Sequence, residues 1–96
     1  MKISYHPAVK KDLRGSYTHY KGIDSELALS FMEKYREALA FIKRDPLVMR
    51  TFYKNDRRML LKRFKSYAVV YEVTEEMIVI KAVTDLRRKP YFWSNR

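Results

Sequence analysis

The sequence predicts an α+β domain: an N-terminal strand, an antiparallel two-helix hairpin, then a C-terminal antiparallel sheet, in the order β-α-α-β-β-β. Three observations carry this reading. Apolar residues recur at helical spacing through most of the first half of the chain. From about residue 50 the pattern changes to short runs rich in β-branched and aromatic residues. The 96 residues leave room for a single domain, residues 1–96.

Ile3 and Tyr5 alternate with Lys2 and Ser4, the period of a half-buried strand. Pro7 stands where a first helical residue tolerates the missing N–H, and His6 beside it is placed to help cap that helix. Val9, Leu13, Tyr17 and Tyr20, at spacings of 4, 4 and 3, share one helix face. Gly22 is expected to end this helix in a left-handed conformation. Asp24 or Ser25 caps the next helix, with Glu26 near the positive end of its dipole. Leu27, Phe31, Tyr35, Ala38, Leu39 and Ile42 form its apolar stripe, and Pro46 ends it. So short a link makes the two helices an antiparallel hairpin. Beyond it, Arg50–Tyr53 reads as a short extended piece, Asn55-Asp56 as a turn and Arg58–Phe64 as a strand. Tyr67–Val73 and Met77–Val83, joined by Thr74-Glu75-Glu76, form a hairpin.

Composition narrows the function. With 21 Lys+Arg against 11 Asp+Glu the formal net charge is +10, while 47 % apolar residues suffice for a core. The absence of cysteine excludes disulfide scaffolds, thiolate metal sites and thiol nucleophiles. No apolar run approaches the roughly 18 residues of a membrane span, nor does the N-terminus carry the roughly 7–15 apolar residues of a signal peptide. A cytoplasmic protein without membrane association is expected. The charge balance is +3 over residues 1–48 and +7 over residues 49–96. Arg57-Arg58, Lys62-Arg63-Lys65 and Arg87-Arg88-Lys89 supply most of the second-half surplus, which suits an anionic partner.

Most reaction chemistries find no support. His6 and His19 lack ligand-type partners at metal-site spacing, so no metal is expected, and no cofactor. Gly15 and Gly22 are the only glycines, so there is no phosphate-cradling loop. Glu75 and Glu76 sit in a hairpin turn, where solvated charge is expected. Phosphodiester cleavage by Arg, Lys and Tyr alone stays open. The most informative stretch is the tail, where Arg87-Arg88 precede Tyr91, Phe92 and Trp93. Such residues stack nucleobases, form partner hot spots, or pin the segment onto the sheet.

Several stretches together resemble the RelE/ParE superfamily of toxins from bacterial type II toxin–antitoxin modules. They are Tyr5-His6-Pro7-Ala8 with Asp12-Leu13 and Tyr20, Ala28 to Pro46, Phe64 to Val73, Ile78 to Val83, and Arg87-Arg88-Lys89-Pro90 with Trp93. RelE-like members cut mRNA on the ribosome, and ParE-like members poison DNA gyrase. The RelE-like pattern needs second-strand lysines, a third-strand arginine, an arginine after the fourth strand and a C-terminal tyrosine. Here those positions hold Met59 and Leu61, Ala68, Arg87 and Trp93. With most cations and the phenol missing, the chain looks closer to ParE: a non-enzymatic toxin with no catalytic residues. The resemblance implies two partners, DNA gyrase and a cognate antitoxin with an acidic C-terminal segment. Arg63, Arg87, Arg88 and Trp93 are expected at the target, and Tyr20, Leu27, Phe31 and Tyr35 at the antitoxin. The alternative is a RelE-like endoribonuclease acting on the ribosome and mRNA, with Lys62, Arg63, Arg87 and Tyr91 as substitutes for the usual set. A third reading is a non-toxic member that only binds a partner.

Overall fold

A computed structural model describes residues 1–88 and 91–96; Lys89 and Pro90, part of the third basic cluster and of the resemblance, lie outside the described residues. Strand β1 (Lys2–Tyr5) leads into helices α1 (Ala8–Lys21) and α2 (Ser25–Arg44). Strands β2 (Thr51–Tyr53), β3 (Asp56–Leu60), β4 (Tyr67–Val73) and β5 (Met77–Asp85) follow, then a short 3₁₀ helix (Phe92–Asn95). One sheet contains all five strands, in the order β1-β5-β4-β3-β2. Strands β2 to β5 pair antiparallel with their neighbours. Strand β1 instead pairs parallel with β5, Ile3 opposite Ile78 and Tyr5 opposite Ile80. A parallel pair cannot be closed by a tight turn, and everything from α1 to β4 lies in the connection between these two strands.

The helix ends follow from local chemistry. His6 Nδ1 accepts the Ala8 N–H at 3.1 Å, which satisfies one of the donors that a helix start leaves open. Gly22 lies in the right-handed region (φ −65°, ψ −21°), against the expected left-handed end. The turn closes without it, because the Gly22 N–H bonds the Thr18 carbonyl and the Ile23 and Asp24 N–H groups bond the Tyr20 carbonyl. Asp24 is the N-cap of α2, its Oδ1 accepting the Glu26 N–H at 3.0 Å. The hairpin lays Val9, Phe31, Tyr35, Ala38 and Ile42 onto one sheet face, against Val69, Tyr71, Ile78 and Ile80.

Strand β3 begins earlier than its apolar alternation suggested and ends at Leu60. Asp56, expected in a turn, lies in the sheet opposite Glu72, and the turn centres on Lys54-Asn55, with Lys54 at φ 51°. The reason is on the sheet face away from the helices. There β5 carries an extra residue: Val70 faces Ala82 and Tyr71 faces Ile80, so Lys81 is a bulge. Its ammonium lies 2.8 Å from Asp56 Oδ1 and 3.0 Å from Glu72 Oε1. Trp93 Nε1 donates to Asp56 Oδ2 at 3.1 Å. Trp93 thereby seals a second small core with Val70 and Ala82, flanked by Phe52 and Phe92.

The last residue completes the edge. Strand β1 stops at Tyr5, so the backbone of β5 beyond Ile80 has no strand beside it on that side. The Val83 N–H donates to Asp12 Oδ2 at 3.1 Å, and the Lys81 carbonyl accepts from Arg96 Nη1 at 3.0 Å. Asp12 and Arg96 are themselves paired at 2.7 Å. This ion pair blunts an edge that would otherwise invite another strand. Among the described residues no helix is long and apolar enough to cross a membrane.

Candidate functional site

Two of the three basic clusters meet at one end of the sheet, where β3 leaves, β4 enters and β5 leaves. The β3–β4 loop closes on itself: the Leu61 N–H donates to the Tyr67 carbonyl at 3.0 Å and the Tyr67 N–H to the Phe64 carbonyl at 2.8 Å. The Leu86 N–H then donates to the Ser66 carbonyl at 2.6 Å, tying the exit of β5 to that loop. Lys62-Arg63-Lys65 and Arg87-Arg88 therefore sit on adjoining loops. Aromatic side chains hold the loops from below. Phe64 packs against Phe31 and Tyr20 with centroids 5.3 and 5.1 Å apart, and Phe31 meets Tyr67 at 5.1 Å, all edge to face. Each such pair contributes about 0.5–1.5 kcal/mol beyond its buried area.

Arg87 makes the most side-chain hydrogen bonds of these cations. Its Nε lies 3.0 and 3.2 Å from the two Asp85 oxygens, its Nη2 donates to Oδ2 at 2.7 Å, and its backbone N–H donates to Oδ1 at 2.9 Å. These bonds hold the Asp85 carboxyl below its usual range and raise the guanidinium further. The Arg87 side chain is still 76 % exposed, so it is a fixed cation facing solvent. Arg63 adopts a left-handed backbone (φ 69°) and donates from Nη1 to Ser30 Oγ of α2 at 2.9 Å. The Arg88 guanidinium lies 5.2 Å over the Phe92 ring. Among the described residues Lys62, Arg63, Lys65 and Arg88 have no carboxylate within 4.0 Å. The remaining cluster is used internally, since Arg57 bonds the Leu47 and Met49 carbonyls and Arg58 lies 4.7 Å over Phe52.

Three residues expected to touch a partner have little surface to offer. Trp93 is only 3 % exposed; its indole is spent on Asp56 and the second core, so it holds the tail in place from beneath. Phe31 is fully buried and Tyr35 nearly so, covered by the chain's own sheet. Tyr20 and Leu27 keep partial exposure. Tyr20 stands next to Tyr67, close enough to Asp85 and Arg87 to feel their charge. One residue expected at the antitoxin thus lies within electrostatic reach of another expected at the target.

Of the alternative cleavage set, Lys62, Arg63 and Arg87 share the basic end of the sheet, while Tyr91 lies at β2. Lys62 lies beside α2 with Lys34, Phe41 and Arg44, and Arg63 reaches Ser30. Tyr91 (φ 59°) stacks on Tyr53 of β2 at 4.1 Å. Arg87 is engaged with Asp85 at the end of β5. Sequence reasoning missed Asp85 and Tyr67. For Asp85 the signal existed, an acid two residues before the arginine at a strand end. Nothing local marked Tyr67, which reads as an ordinary strand residue. Among the described residues no three His, Asp or Glu side chains gather to hold a metal ion.

The buried groups set a pH dependence. Tyr20 and Tyr35 are pushed from 10.0 up to about 12, each by burial first, then by Tyr67 and Tyr5 respectively. Burial pulls Lys81 down, but its hydrogen bonds to Asp56 and Glu72 outweigh that and hold it above its usual value. Groups whose pKa rises on folding contribute stability that is complete below the unfolded value and lost as pH climbs through the folded one. The urea midpoint is therefore expected to fall between about pH 10 and pH 12, and Tyr35→Phe to shrink that fall. A midpoint that stays flat across this range contradicts it.

The chain matches the family model for the ParE toxin of the type II toxin–antitoxin system parDE over residues 3–90. No curated protein matches it significantly. Among solved structures it is similar to a chain of the chromosomal ParDE toxin–antitoxin system from P. aeruginosa, with a TM-score of 0.77 and 18 % identity. That match covers 88 % of this chain and 95 % of the other, and at such identity it speaks to the fold. With the strand–hairpin–sheet order, the basic sheet end and a family match spanning nearly its whole length, the chain belongs to the ParE toxin family of type II toxin–antitoxin systems.

Proposed function

We propose that the protein inhibits growth by binding DNA gyrase in the cytoplasm through the basic end of its sheet. Arg63, Arg87 and Arg88 are the contacts, and Trp93 is the buried post that positions the tail. The observation that carries this reading is Arg87, exposed yet fixed by Asp85. An arginine already held in one orientation loses little side-chain freedom on binding, and arginines are enriched where binding energy concentrates. Membership of the ParE family supports gyrase as the target over the ribosome. So does the place of Tyr91, which stacks on Tyr53 of β2 rather than joining the loops that carry Lys62, Arg63 and Arg87.

A cognate antitoxin with an acidic C-terminal segment neutralises the toxin by covering the exposed parts of Tyr20 and Leu27. The similar solved chain comes from a ParDE toxin–antitoxin system, which supports such a partner. An excess of positive charge speeds encounter with an acidic chain. Because Tyr20 packs beside Tyr67 within electrostatic reach of Arg87, an antitoxin seated there approaches the target surface as well. Tyr20→Ala with Leu27→Ala is expected to weaken antitoxin binding at least tenfold with the fold intact; unchanged affinity removes these residues from the site. Inducing the protein in cells tests the target: DNA breaks and an SOS response support gyrase. Transcripts cut at codon boundaries, or no growth effect, contradict it.

A further inference from the structure

Helix α1 carries Gly15 at its centre, a position where glycine destabilises a helix relative to alanine. Nothing inside the chain demands it: a Cβ at Gly15 would meet no atom within 4 Å. The space in front of Gly15 belongs to a groove of about 520 Å³ between α1, the end of β5 and the C-terminal segment. The two acids lining it are neutralised, Asp12 by Arg96 and Asp85 by Arg87, each at 2.7 Å. Its unopposed charge comes from Lys11 and Arg88, both exposed and, among the described residues, without a carboxylate within 4.0 Å. Ser16 and Thr84 add hydroxyls. Thr84 is 2 % exposed, and its hydroxyl makes one long bond, 3.4 Å to the Asp85 carbonyl.

We propose that this groove binds the phosphate backbone of a single-stranded nucleic acid. Lys11 and Arg88 supply the charge, Ser16 and Thr84 the neutral donors, and the missing side chain at Gly15 lets the strand approach the helix. The lining favours phosphate over an acidic peptide. Peptides that fold on binding need apolar pockets for their anchoring side chains, and this groove is walled mainly by charged and hydroxyl groups. The site goes beyond the gyrase reading. It shares Arg88 with that surface, but Lys11 and Gly15 on α1 are not among the gyrase contacts, and binding to a bare oligonucleotide is measured without gyrase.

The test is fluorescence anisotropy of a labelled 12-nucleotide DNA strand against the full chain over a range of salt concentrations. Lys11→Ala with Arg88→Ala is expected to weaken binding at least tenfold and to reduce the salt slope by about 1.4 for two lost phosphate contacts. Gly15→Leu is expected to weaken it similarly while leaving gyrase inhibition in place. Gly15→Ala separates fold from ligand: it is expected to raise the melting temperature by about 4 °C through helix propensity alone. Unchanged oligonucleotide affinity in folded Lys11→Ala and Gly15→Leu proteins overturns the proposal. A polyglutamate peptide that binds as tightly as the strand overturns it too, as does a mononucleotide that does so.

Discussion

Asp56→Ala is expected to destabilise the protein by about 3–5 kcal/mol, the range seen when one partner of a buried ion pair is removed. Asp56 is 2 % exposed and accepts from the Lys81 ammonium at 2.8 Å and from the Trp93 indole at 3.1 Å. Glu72 still faces Lys81 after the change, which sets the loss toward the lower end of that range. The Trp93 N–H is left buried without its acceptor, at a further cost of about 1–3 kcal/mol included in the total. A domain of this length has roughly 5–15 kcal/mol to lose, so the variant unfolds at clearly lower urea. Asp56→Asn keeps an acceptor for the indole and is expected to recover part of the loss. In a double-mutant cycle with Trp93→Phe, a coupling of about 1 kcal/mol or more measures the indole–carboxylate bond. A loss below about 1 kcal/mol for Asp56→Ala contradicts this reading.

Arg87→Ala with Arg88→Ala is expected to abolish growth inhibition while leaving stability nearly unchanged. Both side chains are exposed, and ion pairs at exposed arginines contribute little to folding. Their removal from a binding surface is another matter. Arginine hot spots typically cost about 2 kcal/mol or more each, about 30-fold in affinity per residue. Asp85→Asn is the sharper control, because it leaves the charge of Arg87 and frees its orientation. Its toxicity is expected to fall between wild type and the double variant. Full toxicity in a folded double variant removes this end of the sheet from the target site.

Much of the architecture was legible because it rests on periodicity. The stripe from Leu27 to Ile42 buries one helix face, the runs Tyr67–Val73 and Met77–Val83 are buried on both sheet faces, and such burial leaves its mark on local pattern. What could not be read involves partners far apart in the chain. Asp12 meets Arg96, Asp56 meets Lys81 and Trp93, and β1 pairs parallel with a strand more than seventy residues later. Asp56 shows the cost most plainly: alone it reads as a turn residue, and only the bulged Lys81 draws it into the sheet. At the candidate site, the same apolar pattern that located the hairpin suggested partner contacts for Phe31 and Tyr35, which the sheet already covers. Periodicity marks a face as apolar without saying who covers it. Charge marked a different feature, the two adjoining loops that carry Arg63, Arg87 and Arg88 at one end of the sheet.

The direct test of that basic end is a supercoiling reaction with purified antitoxin-free protein, DNA gyrase, relaxed plasmid and ATP. Wild-type protein is expected to block supercoiling and accumulate cleaved plasmid, and Arg87→Ala with Arg88→Ala to do neither. Unimpeded supercoiling by gyrase in the presence of folded wild-type protein, together with transcripts cut on translating ribosomes, is the result that contradicts it.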